Sequence, residues 1–482
     1  MKSKIVGIFL AAAMVLGVFA AAGCAGGADP LSAYDADSTV VLEDTSVLAT
    51  EYGEEDYAYP RSAGETQKVI HTVSLPNDCD GQTLLMATAL QGLANRENPS
   101  MWLQSKWVVQ GFDTLNATQF WLNALDSTYL DGSGSSYYVK EVHGDILELV
   151  ALYRDKIEGA ILYPSRVADR ATMCNQWANS SIYGDMAVLN LTAMLAGQYS
   201  ALPLTEGLLS QVNAYLTDEG METLGVLADT TEFLRNESGA IISDRGSRTV
   251  WYNVYRYALD GAKDGTFRFS EKCISHNGTF NPGHFDYCIS QKMFFYNRIL
   301  DPDATDEERA IEQKIYSLTE ENTPVIGVWH LTGSDEENCV MSCNRAGKFF
   351  LVTYESWNIS WTSALDMVKA EGREEQLTYD PTKTYVALTL SETDNNSYTN
   401  FKLPITFQNA NRGKFAMTWA MNQGGLELNP NIVQWMNMNM AEGDGYATGE
   451  SGPGYIRLSA PVEGQKENFY GMANRLAEYL QP

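Results

Sequence analysis

The sequence predicts an α/β protein of parallel strands, on three observations. Short strand-like runs alternate along the chain with stretches of helical periodicity, the pattern of β-α-β units. Several of the runs, such as Thr323–Trp329 (TPVIGVW) and Lys383–Leu390 (KTYVALTL), are apolar on both faces, as strands covered by helices on each side must be. No segment recurs at a period of 20–50 residues, which sets aside solenoids and propellers.

The first element is a targeting signal. Lys2 and Lys4 precede an apolar run from Ile5 to Ala22, and Ala21-Ala22-Gly23-Cys24 follows. A basic start, a hydrophobic stretch and small residues before a cysteine make up a lipoprotein signal. It resembles those of bacterial lipoproteins, which implies cleavage before Cys24, lipid attachment to its sulfur, and a chain exported and held at the cell surface or the outer face of the cytoplasmic membrane. Residues 24–65 are small, acidic and punctuated by Gly and Pro, the composition of a solvated tether.

Two folded regions follow, 66–240 and 241–482. The first opens with a strand at Val69–Val73, a helix from Gln82 to Asn95 with Leu85, Ala89 and Leu93 on one face, and a strand from Met101. Further strands are expected at Gly159–Tyr163, Asp185–Leu189, Pro324–Trp329, Lys348–Thr353, Thr384–Leu390, Lys414–Ala420 and Tyr455–Leu458. Thr305-x-x-Glu308 is a capping box that starts a helix through Ile311 and Ile315. A last helix carries Phe469, Met472, Leu476 and Leu480 on one face.

Charge narrows the partners. With 33 basic and 61 acidic residues in 482, the net charge is −28, and such a field repels polyanions. Nucleic acid and adsorption to anionic lipid are therefore set aside, leaving the lipid anchor as the membrane contact. Apart from Cys24 there are six cysteines, Cys79, Cys174, Cys273, Cys288, Cys339 and Cys343; an even number in an exported chain permits disulfides. Sequence proximity pairs Cys273 with Cys288 and Cys79 with Cys174. Cys339-x-x-x-Cys343 lacks a nearby second pair that would complete a zinc site, and no metal or cofactor is expected.

Four stretches, read together, resemble the GxGYxYP family of glycoside-hydrolase-like proteins. They are Leu84–Leu103 (LLMATALQGLANRENPSMWL), Pro324–Ser360, Tyr385–Asn396 (YVALTLSETDNN), and Arg412–Gln423 followed by Gly443–Leu458 (GDGYATGESGPGYIRL). They occur in the family's order and span most of the chain after the tether. The motifs also depart from the family's. SETDN stands where the family carries SDGDN, and Gly452-Pro453-Gly454-Tyr455-Ile456-Arg457-Leu458 lacks the second Tyr and the Pro of GxGYxYP. The chain ends 27 residues after Tyr455 (482 − 455), which leaves open whether a final strand closes the C-terminal domain. The combined reading is an N-terminal α/β region followed by a C-terminal β/α-barrel-like (TIM-like) domain.

In such a domain functional groups sit on loops after the strands. Glu392 and Asp394 lie two apart after the KTYVALTL strand. Glycoside hydrolysis needs two carboxylates roughly 5–10 Å apart, one held protonated as the acid. Asp444 is the leading partner on another loop, with Glu336 or Glu337 next; Glu392 would be the acid and Asp394 or Asp444 the base or nucleophile. Trp329, Trp419 and Tyr455 offer aromatic faces for sugar rings, and Asn358 and Asn395 offer amides for hydroxyls. Trp357 and Trp361 lie near the same strand ends. His276 and His284 with Asp286 could hold a metal as in polysaccharide deacetylases, although their spacing does not single them out. Gly449-Glu450-Ser451-Gly452 lacks the spacing of a nucleophile elbow. The sequence thus points to a surface lipoprotein acting on or binding oligo- or polysaccharide. Its rivals are a non-catalytic glycan binder or scaffold of the same fold, and a transporter's substrate-binding lipoprotein with two hinged lobes.

Overall fold

The computed structural model describes residues 58–76, 78–105, 117–128, 138–169, 182–300, 304–329, 335–354, 356–367, 380, 382–390, 395–449, 452–457, 467 and 469–474. Cys24, Cys174, Ser391, Glu392, Thr393 and Asp394 lie outside them.

Thirteen strands among the described residues form four sheets, and every ladder is parallel. In the first region β1 (Val69–Leu75), β2 (Met101–Ser105) and β3 (Val139–His143) run in the order β2-β1-β3. Next, β4 (Gly159–Leu162), β5 (Ala201–Leu204) and β6 (Val226–Asp229) repeat that arrangement as β5-β4-β6. Beyond residue 240, β7 (Ile274–Asn277), β8 (Phe294–Tyr296), β9 (Pro324–Val328) and β10 (Phe349–Val352) are ordered β10-β9-β7-β8. Finally β11 (Thr389–Leu390), β12 (Thr418–Met421) and β13 (Gly445–Thr448) lie side by side. Two single bridges reach β10: Asn395 pairs in parallel with Val352, and Tyr455 antiparallel with Phe350. The α/β expectation therefore holds. Among the described residues the ladders form four separate sheets, and none of them closes into a barrel.

Particular elements follow from local chemistry. Asp80 caps helix Gly81–Ala94 by accepting from the N–H groups of Gln82 and Thr83 at 2.9 Å, filling two of the orphan donors of a helix start. The Thr305/Glu308 capping box forms as expected ahead of helix Asp306–Tyr316. β7, β9 and β10 are buried along their whole length.

Three expectations change. Asp185–Leu189 is part of helix Tyr183–Tyr199, of which Tyr183 to Gly197 are all buried; a helix apolar on every side shows no 3.6-residue stripe. Tyr455 makes one bridge where a strand was expected, and the strand is β13 instead. The Cys273–Cys288 disulfide does not form: Cys273, Cys288, Cys339 and Cys343 are buried free thiols, while the expected Cys79–Cys174 pairing involves Cys174, outside the described residues.

One apolar core runs across residue 240, joining side chains such as Leu85, Leu189 and Val254 to Phe294, Ile326 and Leu351. A second core packs Trp102, Trp121 and Trp361 against Trp419, Trp435 and Tyr446. Residues 58–62 thread through the C-terminal half before β1 begins. The Ala58 and Tyr59 N–H groups donate to the buried Glu427 carboxylate at 3.2 and 2.8 Å, and the Tyr59 hydroxyl donates to the Pro453 carbonyl at 2.9 Å. Ser62 Oγ donates to the Ser360 carbonyl at 2.7 Å. Gly424 leaves room for the Tyr59 ring, since a Cβ there would come within 2.4 Å of Leu351 and 3.1 Å of that ring.

Candidate functional site at the ends of β9 and β10

Trp329 directly follows β9, and its indole faces the Phe350 ring at 5.4 Å and the Tyr455 ring at 6.2 Å between centroids. Tyr455 is held there because its backbone exchanges hydrogen bonds with Phe350. That close approach requires the preceding glycine: a Cβ on Gly454 would sit 2.8 Å from the Phe350 carbonyl oxygen and 2.9 Å from the Phe349 ring. The Tyr455 hydroxyl donates to Glu336 Oε1 at 3.2 Å. Next to it Arg457 donates to Glu337 Oε1 at 2.5 Å. Both glutamates lie in the first turn of helix Asp335–Arg345, where the helix dipole favours negative charge. Asp335, the third acid of that turn, is buried and receives a 2.8 Å ion pair from Arg298.

Asn395 reaches the same rim through its bridge to Val352, the last residue of β10. Its Oδ1 accepts from the Tyr398 N–H at 3.2 Å. Asn396 is fully buried and donates to Ser356 Oγ at 3.2 Å, and Ser397 donates to the Tyr354 carbonyl. The chain after SETD is thereby fastened to the loop that follows β10. Leu390, before it, is the last residue of β11. Glu392 and Asp394 themselves fall outside the described residues.

Three of the sequence candidates lie elsewhere. Asp444 immediately precedes β13 and so sits at the N-terminal end of its sheet, opposite the strand-end loops. It is buried, accepts from Arg412 at 2.7 Å and caps the Ala441 N–H at 3.0 Å, while the Arg412 guanidinium lies 3.9 Å over the Phe407 ring. Trp419 is in β12, buried against Phe407 at 4.8 Å. Asn358 is a buried joint between regions: its Oδ1 accepts from Gln91 Nε2 at 2.6 Å and the Leu103 N–H at 2.8 Å, and its Nδ2 donates to the Leu103 carbonyl at 3.1 Å. It also borders a small cavity shared with Trp102, Trp121, Trp357, Asn400 and Asn431. Trp102 and Trp121 were not singled out in the sequence because they come from the other region.

His276, His284 and Asp286 are buried but turn to separate partners. His276 Nδ1 meets the Val328 carbonyl at 2.9 Å and His284 Nε2 meets Asn277 Oδ1 at 2.9 Å. Asp286 Oδ2 accepts from the Ser360 N–H at 2.9 Å and hydroxyl at 2.7 Å. Burial lowers His284 to about 3 and raises Asp286 to about 6, so His284 is neutral at physiological pH.

Residues 273–364 match the GxGYxYP third domain, and residues 382–481 match the domain described as the GxGYxYP putative glycoside hydrolase C-terminal domain. The chain carries two GxGYxYP domains. The Tyr455–Glu336 hydrogen bond and the Tyr455–Trp329 ring contact both cross from one GxGYxYP domain to the other. Among solved structures, the chain is similar to the crystal structure of a putative hydrolase from Bacteroides thetaiotaomicron VPI-5482. The TM-score is 0.64 and the identity 17%, over 87% of this chain and 70% of that one. That similarity is one of fold. No curated protein matches the chain.

Proposed function

We propose that this GxGYxYP protein is a carbohydrate-active hydrolase whose site is the rim at the C-terminal ends of β9 and β10. The observation that carries the reading is the meeting of the two domains at Trp329, Glu336 and Tyr455. The described flanks of the SETD loop, Leu390 and Asn395, end β11 and pair with β10 beside it. Trp329 and Tyr455 would give a ring-stacking surface, and Asp394 with Glu392 the carboxylate pair for acid and nucleophile or base chemistry. Glu336, in the first turn of helix Asp335–Arg345 and already hydrogen-bonded to Tyr455, replaces Asp444 as the neighbouring carboxylate.

The test is turnover of a panel of oligo- and polysaccharides by the purified chain and by Asp394→Asn, Glu336→Gln and Asp444→Asn. Loss of kcat in the first two with kcat retained in the third is expected. Turnover unchanged in both Asp394→Asn and Glu336→Gln would refute the site.

One observation favours a second reading, a glycan-binding protein without turnover. Arg457 stands at the second Tyr position of the motif and neutralises Glu337, a carboxylate on the same helix turn as Glu336. Binding of a panel member by the parent chain with no hydrolysis would select it. The core continuous across residue 240 argues against two hinged lobes of a transport receptor. Export and lipid attachment at Cys24, which rest on the basic, apolar and AAGC pattern, are tested by mass spectrometry of the membrane fraction, where an unmodified Cys24 would overturn them.

A further inference from the structure

We propose that His71, Glu141 and His143 form a binding site for a divalent transition metal, Zn²⁺ above all. His71 is on the central strand β1 and the other two are on the edge strand β3; the register pairs His71 with Glu141 and Val73 with His143. Residues two apart on a strand share a face, so the register brings all three side chains together, and their ligand atoms lie within 4.8 Å of one another.

The geometry and the chemistry agree. His71 Nδ1 is 3.2 Å from His143 Nε2 and 3.3 Å from Glu141 Oε2. Ligand atoms about 2.0–2.1 Å from a tetrahedral zinc are about 3.3 Å apart, so these two separations match edges of such a tetrahedron. On its other side His143 presents Nδ1 to Glu148 Oε2 at 3.3 Å. A carboxylate accepting the far N–H of an imidazole fixes its tautomer and turns its lone pair inward, the usual support for a metal-bound histidine. With that tautomer, the His143 lone pair and the Glu141 carboxylate both face His71 Nδ1. One N–H there can serve only one of them directly, whereas a cation serves all three groups.

Both histidine side chains are 19% exposed and Glu141 is 54% exposed, so three protein ligands leave a fourth position open to water or to a ligand. The Tyr153 ring stands edge-on to His71 at 6.0 Å and forms one wall. A bound ion would also link β3 to the rest of its sheet. None of this depends on the carbohydrate reading, since the site lies outside both GxGYxYP domains.

The experiment is isothermal titration of the metal-stripped full chain with ZnCl₂, with thermal unfolding in EDTA and in excess Zn²⁺ as a second readout. One equivalent should bind and raise the melting temperature. His71→Ala and His143→Ala should abolish both effects. The solvent-facing Glu141→Gln should weaken binding without altering the melting temperature in EDTA, and Glu148→Gln should weaken it by roughly 10–100-fold. Absence of binding would overturn the proposal. So would one-equivalent binding of equal affinity in His71→Ala, His143→Ala and Glu141→Gln, which would place the metal elsewhere.

Discussion

Asp286→Asn should gain stability relative to the parent as the pH rises from acid to neutral, with a pH dependence that identifies its cause. The carboxyl is fully buried; Oδ2 takes both Ser360 bonds, and the backbone N–H groups of Asp286 and Tyr287 add further support to the charged form. Desolvation outweighs those bonds and raises its pKa from 3.8 to about 6. At roughly 1.4 kcal/mol per pH unit, the difference is worth about 3 kcal/mol. The sign follows from linkage. Below the unfolded-state pKa both states are protonated and nothing is lost. Between there and about 6 the unfolded chain ionises while the folded one keeps its proton, so stability falls as pH rises; above that range the loss is complete. An amide does not titrate, and whatever its altered hydrogen bonds cost is the same at every pH. Urea unfolding of the parent and variant from pH 3.5 to 7.5 should therefore show the variant gaining on the parent by about 3 kcal/mol across that range. A difference that stays flat would refute the buried-carboxyl argument. A difference that depended on added metal would revive a metal role for Asp286.

Other expectations concern packing and pairing. Asp444→Asn breaks the buried pair with Arg412 and should cost about 3–5 kcal/mol by urea unfolding, with no direct loss of turnover. Tyr59→Ala should cost about 3–5 kcal/mol, and Tyr59→Phe, which loses only the hydrogen bond to Pro453, about 1 kcal/mol, both by thermal unfolding. Gly454→Ala should push Tyr455 away from Phe350 at about 1–3 kcal/mol, and intrinsic fluorescence of Trp329 should change with it.

How far the sequence could be read depended on whether a local pattern carried the information. β9 and β10 were legible because a strand buried on both faces is apolar throughout. The capping box was legible because both of its partners lie within four residues. Helix Tyr183–Tyr199 was misread in part because burial on every side erases periodicity. Asp444 went to the wrong end of its sheet for a related reason: with the strand expected at Tyr455, GDG reads as a loop between strands, whereas β13 begins at Gly445 and puts Asp444 ahead of it. The expected strand at Thr384–Leu390 shrinks to Thr389–Leu390, and Val386 is exposed. Trp329 and Tyr455 could be chosen from motif positions, but their contact, and that of Tyr455 with Glu336 119 residues away, needed the sheet. His71 and His143 are 72 residues apart, and only strand register joins them.

The path of residues 58–62 has a mechanical consequence. A pull on the N-terminal extension would not first reach β1. It would load in shear the bonds from Tyr59 to Glu427 and Pro453 and from Ser62 to Ser360. Glu427 and Pro453 belong to one GxGYxYP domain and Ser360 to the other, and Pro453 lies inside the glycine motif that seats Tyr455. Tension applied to the chain ahead of Tyr59 would thus be transmitted to the wall of the rim itself, making the grip of Tyr59 a mechanical link to the site proposed there.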